Sequence, residues 1–413
     1  MPVRNINGKP PPLKLEGFTD WLVAQGLEGQ PVGRQLAGFC ARVHEAGFPL
    51  KRANIGMATL HPRYGAETFV WRPGFEEAER TQRERSVSRG VPFKQSPISY
   101  MYEKGEVTLR RPLTGNAPLE FPILEELRLE GMTDYAALIT PFGRGSGSVS
   151  EYDHYAGGIF FSSATDDPAG FDPGQLQQVS EALPALALAL KSRSTYDVAH
   201  TVLETYLGGD AGHRVLTGAI ERGSVETIRA VLWFCDLRGF TRISDTLPRD
   251  ELVELLDDYL ELMARPVHDN HGQILKFLGD GFLATFDLTA LDGEAVCKNA
   301  LKAASELREA FPPFNATRKK AGKVAMDFGL SLHLGDVLYG NIGAAERLDF
   351  TVIGPAVNEA SRIQALCRAL DRDILISSAF HEAACSCHGA LDSLGFHALR
   401  GVREPEELFA LVG

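Results

Sequence analysis

The spacing of apolar residues divides the chain into two regions that each contain helices and strands. In the first region, apolar positions recur at helical spacing in three segments and alternate with polar positions in the segments between them. The predicted elements are a helix at 35–48, strands at 53–62, 67–73 and 105–113, a helix at 121–131, strands at 134–142 and 156–164, and a helix at 172–194. This order favours a sheet covered by helices.

The second region interleaves helices with strand pairs, which is typical of an α+β sandwich. An apolar strand is predicted at 227–237, and an amphipathic helix follows at 249–267. Two strands then flank the tight turn Gly279-Asp280-Gly281, the pattern of a β-hairpin. The remaining predicted elements are a helix at 294–311, strands at 323–335 and 350–354, a helix that begins at Pro355, a strand at 373–377, a further helix, and a hairpin from 396 to 412.

These patterns predict four segments along the chain. Residues 1–30 are interrupted by Gly and Pro and are expected to form a loose lead-in, and residues 31–194 form the first domain. Residues 195–226 are helical with mixed polarity, are broken at Gly208 and Gly209, and are predicted to be a linker that acts either as a transmission element or as a plain spacer. Residues 227–413 form the second domain.

Composition narrows the class of protein. The chain has 413 residues, 44% of them hydrophobic and 23% charged, which are the values of a soluble globular protein. A net charge of −12 argues against a nucleic-acid partner. No apolar run approaches the roughly 18 residues needed to span a bilayer, and the N-terminus lacks the apolar core of a signal peptide. We therefore expect a cytoplasmic protein without a membrane span.

The cysteines indicate a reducing compartment, because six of them are spread along the chain without the spacing of a disulfide framework. One cluster contains four zinc-capable ligands, His381, Cys385, Cys387 and His388. Their spacing matches no common zinc module, which favours a helix end with buried thiols. The sequence leaves open whether this cluster binds a metal.

Two aspartates are the candidate metal ligands of the second region. Asp236 ends the apolar strand at 227–237, and Asp280 lies in the hairpin turn that follows. Carboxylates at neighbouring strand ends suit Mg²⁺, which prefers oxygen ligands and shares them with substrate phosphates. The Arg-Gly-Phe-Thr turn after Asp236 offers backbone N–H groups to a phosphate, so Phe240 and Thr241 are candidate substrate-binding residues.

Three motifs, FCDLRGFT, KFLGDGFLATF and FTVIGPAVNEASRI, resemble the catalytic domain of class III nucleotidyl cyclases in their order and spacing. The resemblance covers about residues 227–413 and implies the ferredoxin-like, palm-type α/β sandwich of that family. The order of elements in the first region resembles a GAF-type α/β sensor domain, although no motif supports it. That resemblance implies regulation by an unknown small-molecule or protein signal.

The cyclase resemblance assigns roles to individual residues. It implies two divalent metal ions per site, Mg²⁺ or Mn²⁺, held by Asp236, Asp280 and the backbone carbonyl of Leu237. Lys276 matches the lysine that recognises the purine, and because a lysine donates to adenine N1 but cannot match guanine, it favours ATP. The matching catalytic pair is Asn358, which orients the ribose, and Arg362, which stabilises the transition state. Arg400 lies where the family has a triphosphate-binding lysine, in a context that diverges.

One position departs from the commoner pattern of the family. Seven residues before Asn358, many members carry an Asp that accepts a hydrogen bond from the adenine amine, and this chain has Thr351. A hydroxyl can also accept that bond. Thr351 therefore resembles the Thr-bearing branch of the family, some members of which respond to bicarbonate.

The resemblance implies an adenylate cyclase that converts ATP to 3′,5′-cyclic AMP and pyrophosphate. Its site is shared between two catalytic domains, so a head-to-tail homodimer is expected. The alternatives are a catalytically silent nucleotide-binding regulatory module and a guanylate cyclase. Retention of both acids with Lys276, Asn358 and Arg362 argues against the silent module.

Overall fold

The protein divides into two compact units, Met1–Val202 and Leu203–Gly413. A computed structural model describes residues 10–85, 90–115, 118–142, 158–288, 292–384 and 391–411. In that part of the chain, no helix combines the length and the apolar character needed to cross a bilayer.

The first unit contains one six-stranded sheet in the order β3-β2-β1-β6-β5-β4, and every neighbouring pair is antiparallel. Its strands are β1 (Arg52–Ala58), β2 (Tyr64–Trp71), β3 (Glu79–Glu84), β4 (Thr108–Pro112), β5 (Asp134–Pro141) and β6 (Gly158–Thr165). Its helices are α1 (Phe18–Leu27), α2 (Val32–Glu45), α3 (Val91–Lys94), α4 (Pro97–Lys104), α5 (Pro122–Leu129) and most of α6 (Pro173–Leu207).

One face of this sheet packs on α1, α2 and α6, and their apolar side chains form a common core. Successive side chains of a strand point to opposite faces, so Ile55 on β1 and Phe161 on β6 enter this core. The expected loose lead-in is wrong for residues 18–27, because α1 buries Phe18 and Leu22 there. The resemblance of this unit to a GAF-type domain stays a prediction.

The second unit contains an eight-stranded sheet in the order β13-β14-β12-β10-β7-β9-β8, with β11 paired to β10. Its strands are β7 (Val225–Arg238), β8 (Gln273–Phe277), β9 (Gly281–Asp287), β10 (Asp327–Ala344), β11 (Arg347–Ile353), β12 (Ile374–Ser377), β13 (Leu391–His397) and β14 (Glu406–Leu411). Its helices are α7 (Gly209–Leu216), α8 (Phe240–Ser244), α9 (Arg249–Asp269), α10 (Gly293–Lys320), α11 (Pro355–Leu366) and α12 (Ser378–Ala383). This mixed architecture confirms the α+β prediction.

Strand β7 lies near the centre of this sheet and sends alternate side chains into two cores. Trp233 and Cys235 pack with α9 and α10 on one face, whereas Ala230 and Leu232 pack with α7 and α11 on the other. Each side of the sheet is therefore covered by helices, and the end of β7 is held between them.

Helix α7 lies within the segment that was predicted to be a linker. Its Asp210 accepts a hydrogen bond from the Tyr339 hydroxyl at 2.8 Å, and Arg214 forms an ion pair with Glu226 at 2.6 Å. Ala211 is buried in the core that α7 shares with β7 and β10. Part of the predicted linker is thus a helix that packs on the sheet of the second unit.

Candidate active site

The two acids lie on adjacent strand ends, as the sequence predicts. Asp236 on β7 pairs directly with Gly281, the first residue of β9. Asp280, the residue just before β9, therefore lies next to the end of β7. The backbone N–H of Leu237 donates to the carbonyl of Asp280 at 3.2 Å. The hairpin turn is thereby attached to the end of β7, and the two carboxyl groups belong to one site.

The two carboxyl groups have perturbed proton affinities. Burial and the charge of Asp280 raise the pKa of Asp236 from 3.8 to about 6, although a hydrogen bond from Gln364 opposes the shift. Burial also raises the pKa of Asp280. Both ionised forms are therefore disfavoured in the folded chain, as expected for two acids that share one partly buried site.

These residues fit a divalent metal. In a β-strand the N–H and C=O of one residue point to the same side, so the Leu237 carbonyl faces the turn of Asp280 as its N–H does. Two carboxylates and one carbonyl leave coordination positions for substrate phosphates, which is the usual arrangement for Mg²⁺. Because the site has only two acidic side chains, it is not one of the clusters of three or more His, Cys, Asp or Glu residues that hold a metal by themselves, and no such cluster occurs among the described residues.

The cluster of zinc-capable side chains, for which the sequence leaves metal binding open, lies mostly outside the described residues. Cys385, Cys387 and His388 belong to the segment that is not described. The ring of His381 stacks on Phe409 with centroids 3.9 Å apart. The structure therefore gives His381 a packing role.

Gln364 is a site residue that sequence reasoning missed. Its side-chain amide donates to Oδ1 of Asp236 at 2.5 Å, and the residue is 8% exposed. A Cβ on Gly329 would lie 2.9 Å from Nε2 of Gln364, so the glycine leaves room for the amide. Gln364 thus orients Asp236 and leaves its other carboxylate oxygen for a metal.

Lys276 lies opposite a second residue that sequence reasoning missed. The ammonium group of Lys276 on β8 is 2.7 Å from Oδ2 of Asp349 on β11. Thr351 follows two positions later and therefore shares a face of β11 with Asp349. The ion pair lowers the pKa of Asp349. A lysine has three donors, so Lys276 can contact Asp349 and a purine together.

Asn358 and Arg362 line one cleft, as their spacing on a helix predicts. The cleft has a volume of about 590 Å³, and its walls come from α11 and from residues 401–403. Arg403 lines this cleft and Arg400 does not, although both residues are exposed. Arg403 is therefore a further candidate for a phosphate-binding cation beside Arg362, and the role of Arg400 stays a prediction.

The phosphate turn lies directly after Asp236 and Leu237. Gly239 adopts a left-handed conformation and caps α8, whose first two residues are Phe240 and Thr241. The first N–H groups of a helix have no partner within the helix. The backbone of Phe240 and Thr241 is thus available near the acids, while the Phe240 ring packs on the core.

Gln364 and Arg362 lie on opposite faces of helix α11. Gln364 is buried against Asp236, and Arg362 faces the cleft. At 100° per residue, two positions apart on a helix lie on nearly opposite sides. Within one chain, Arg362 and Asn358 therefore face away from the metal acids.

Without a bound metal, ionisation of Asp236 should lower the free energy of unfolding by a measurable amount. Because the folded-state pKa of Asp236 is raised, the native state holds its proton more tightly than the unfolded chain, and stability decreases as the pH rises from about 4 to about 6. At pH 7.5 we expect Asp236→Asn to raise the free energy of unfolding by about 1 kcal/mol, after allowance for solvent screening. Urea denaturation at several pH values measures this difference.

The advantage of Asp236→Asn should disappear at pH 4 and also when Mg²⁺ stabilises the wild type. Asp269→Asn, at the exposed end of α9, is the matched control and should behave like the wild type. An Asp236→Asn variant that is less stable than the wild type at pH 7.5 without metal would contradict the prediction.

Part of the chain is similar to known nucleotide cyclases. The family model "Adenylate and Guanylate cyclase catalytic domain" matches residues 224–413. The adenylate cyclase of Anabaena cylindrica is 38% identical over 162 residues, which cover 38% of this chain and 31% of that protein. Adenylate cyclase 1 of Rhizobium meliloti is 28% identical over 180 residues, which cover 44% of this chain and 27% of that protein. The matches therefore span less than a third of either relative.

Among solved structures, the crystal structure of the adenylyl cyclase CyaB from P. aeruginosa is similar to this chain. It has 24% sequence identity and a TM-score of 0.42, and the match covers 46% of this chain and 96% of that chain.

Proposed function

We propose that this protein is an adenylate cyclase that converts ATP to 3′,5′-cyclic AMP and pyrophosphate, because residues 224–413 match the family model of adenylate and guanylate cyclase catalytic domains. The observation that carries the proposal is the Asp236–Asp280 pair, whose carboxyl groups have raised pKa values at adjacent strand ends. Lys276 supports ATP over GTP, since an ammonium group donates to adenine N1 and cannot accept from guanine N1.

The bound metal ions would supply positive charge that lowers the pKa of the ribose 3′-OH and balances the phosphates. Asp236, Asp280 and the Leu237 carbonyl would hold them, and Gln364 would keep Asp236 in place. In the reaction, the 3′ oxygen forms a bond to the α-phosphorus while the bond to the β-phosphate oxygen breaks. The 3′-OH loses its proton, and pyrophosphate leaves.

The residues of α11 would act on the reacting groups. Arg362 presents a planar guanidinium that would donate in a fork to the charge that develops on the α-phosphate. Asn358 lies one turn away on the same face and orients the ribose. Arg403, which also lines the cleft, would neutralise the outgoing phosphates. The backbone N–H groups of Phe240 and Thr241 would contact phosphate beside the metal acids.

We propose that two chains form each active site. The support comes from α11, because Arg362 and Gln364 point to opposite sides of the same helix. One chain would supply Asp236 and Asp280, and its partner would supply Lys276, Thr351, Asn358 and Arg362. A head-to-tail homodimer then has two equivalent sites, and the N-terminal unit would regulate them in response to a signal.

Parallel assays with ATP and GTP test the activity. Purified full-length protein is incubated with MgCl₂ or MnCl₂, and cyclic products are separated by chromatography. We expect cyclic AMP as the main product and its loss in Asp280→Asn, while the exposed Asp269→Asn control keeps it. Cyclic GMP as the main product would favour a guanylate cyclase, and the absence of any cyclic product would favour the silent module.

Removing the negative charge beside Lys276 should weaken substrate discrimination. In Asp349→Asn the ammonium loses its 2.7 Å partner and becomes free to adopt other rotamers. We expect kcat/KM for ATP to fall about tenfold, with a smaller change for GTP. Steady-state kinetics with both nucleotides measure the ratio.

Stability should change little in Asp349→Asn, because exposed ion pairs contribute only about 0–1 kcal/mol. Glu254→Gln removes another exposed ion pair, with Lys323, and serves as the control. An unchanged ATP-to-GTP ratio in Asp349→Asn would show that Asp349 does not position Lys276.

A further inference from the structure

The first unit contains a cavity of about 670 Å³ that the cyclase chemistry does not use. It lies between one face of the six-stranded sheet and the segment that contains α3, α4 and α5. This is the face opposite to the α1, α2 and α6 core, because Asn54 and Phe160 line the cavity while their neighbours Ile55 and Phe161 enter that core. Its volume is in the range of small-molecule sites.

The cavity exists because the floor carries small residues where a packed sheet would carry large ones. Gly56 and Ala58 on β1, Ala66 on β2 and Ala164 on β6 all line it. A Cβ on Gly56 would meet only Phe160, at 3.8 Å. The space above β1 is therefore open to a ligand and could be filled by a larger side chain at position 56.

Polar groups converge at one end of the cavity. Asn54 lies directly across from Ser162, and Arg52 and Tyr135 flank Ala164 on either side. Tyr135 is 3% and Ser162 is 7% exposed, and the Tyr135 hydroxyl is hydrogen-bonded to Ser162. The Arg52 side chain is 19% exposed. This end of the cavity is thus lined, on the sheet side, by one guanidinium, two hydroxyls and one amide.

Arg52 is only weakly neutralised by protein groups. Its nearest acid is Glu130, which is exposed and whose two carboxylate oxygens lie 3.4 and 3.5 Å from Nη1. The other charged groups that line the cavity are Glu67, which Arg80 and Gln82 hold, and the exposed Arg83 and Glu126. A mostly buried guanidinium whose contacts to its carboxylate partner are this long is suited to a second, bidentate carboxylate.

Much of the remaining lining is apolar and includes flat rings, although polar side chains such as Gln95, Ser96 and Tyr102 also line the cavity. Phe93, Ile98, Ile123, Leu127 and Phe160 line it together with three prolines, at positions 92, 97 and 122. Aromatic and proline rings present flat faces that pack well on a planar ring. An apolar body of about one or two rings would fill the space and leave its polar end at Arg52.

We propose that this cavity binds a small aromatic carboxylic acid as its carboxylate. The Arg52 guanidinium donates to the carboxylate, and Asn54 and Ser162 complete the polar end. The aromatic ring packs between Phe93 and Phe160. This inference does not depend on cyclase activity, since it concerns binding to the first unit alone.

Isothermal titration of full-length protein with two probes of the same shape tests the proposal. The probes are 1-naphthaleneacetate and its uncharged amide, 1-naphthaleneacetamide. We expect the wild type to bind the carboxylate at least about tenfold more tightly than the amide, because a charge-assisted pair replaces a neutral one. Arg52→Met should remove that preference and keep weak binding of both probes.

Gly56→Leu should abolish binding of both probes, because its side chain occupies the cavity. Arg34→Met removes an exposed guanidinium that pairs with Glu77 outside the cavity, and it should bind like the wild type. Circular dichroism melting curves verify that each variant is folded; if Gly56→Leu is not folded, Arg52→Met alone decides. Equal affinity for the two probes in the wild type, no binding of either at millimolar concentration, or an unchanged preference in Arg52→Met overturns the proposal.

Discussion

Two inactive variants are expected to restore cyclase activity when they are combined. Asp236→Asn disables the metal half of the site, and Arg362→Ala disables the half that meets the α-phosphate. Each homodimer should lose about 10²–10³ in rate, which is typical for removal of a transition-state donor. A mixed dimer contains one site with both halves intact, so random pairing should recover about a quarter of wild-type activity.

The structural reason for this expectation is the geometry of α11. Gln364 reaches Asp236 within the chain, while Arg362 points to the cleft on the other side of the helix. Asp236→Asn keeps an oxygen that accepts from Gln364, so it changes the charge and preserves the fold. Arg362→Ala removes a half-buried side chain that lies outside the core.

A matched control distinguishes shared sites from nonspecific stabilisation. Mixing Asp236→Asn with Asp280→Asn places a defective metal half in every site, so no activity should return. Subunit exchange is verified by pulling down differently tagged chains. If mixed dimers of Asp236→Asn and Arg362→Ala form and stay inactive, or if the control pair regains activity, the shared-site proposal fails.

Gly281→Ala is expected to disrupt the end of β7 and with it the metal site. A Cβ at this position would lie 1.9 Å from the Cys235 carbonyl oxygen and 2.7 Å from the Asp236 Cα. Both neighbours are backbone atoms of the central strand and cannot move aside as a side chain could. We expect a loss of about 3 kcal/mol or more in unfolding free energy, together with loss of cyclase activity. Urea denaturation of the purified variant measures it.

The neighbouring Gly279 supplies the control for this prediction. It has a φ of +71°, and no other atom lies within 4 Å of the position that a Cβ would take there. Gly279→Ala therefore costs only the strain of a left-handed alanine, about 1 kcal/mol. Equal destabilisation by the two substitutions would mean that the close approach at Gly281 is not what holds the hairpin to β7.

Local patterns predicted most elements because helix and strand periodicity are properties of short segments. Leu255, Tyr259 and Met263 recur at helical spacing on α9 and are buried together. The GDG turn predicted the hairpin of β8 and β9. Strand β3 has no such signal because all its residues are exposed, so apolar and polar positions do not alternate along it.

The sequence alone predicted a resemblance to class III cyclase catalytic domains over residues 227–413 and the candidate residues of the site, because the order and spacing of motifs are read directly from the chain. The tertiary structure decided which side chains meet. Lys276 and Asp349 are 73 positions apart, and Asp236 and Gln364 are 128 apart. The tertiary structure also decided that Arg403 lines the cleft beside α11. Such contacts form only when strands and helices pack, because sheet order and helix orientation have no signature in a short segment.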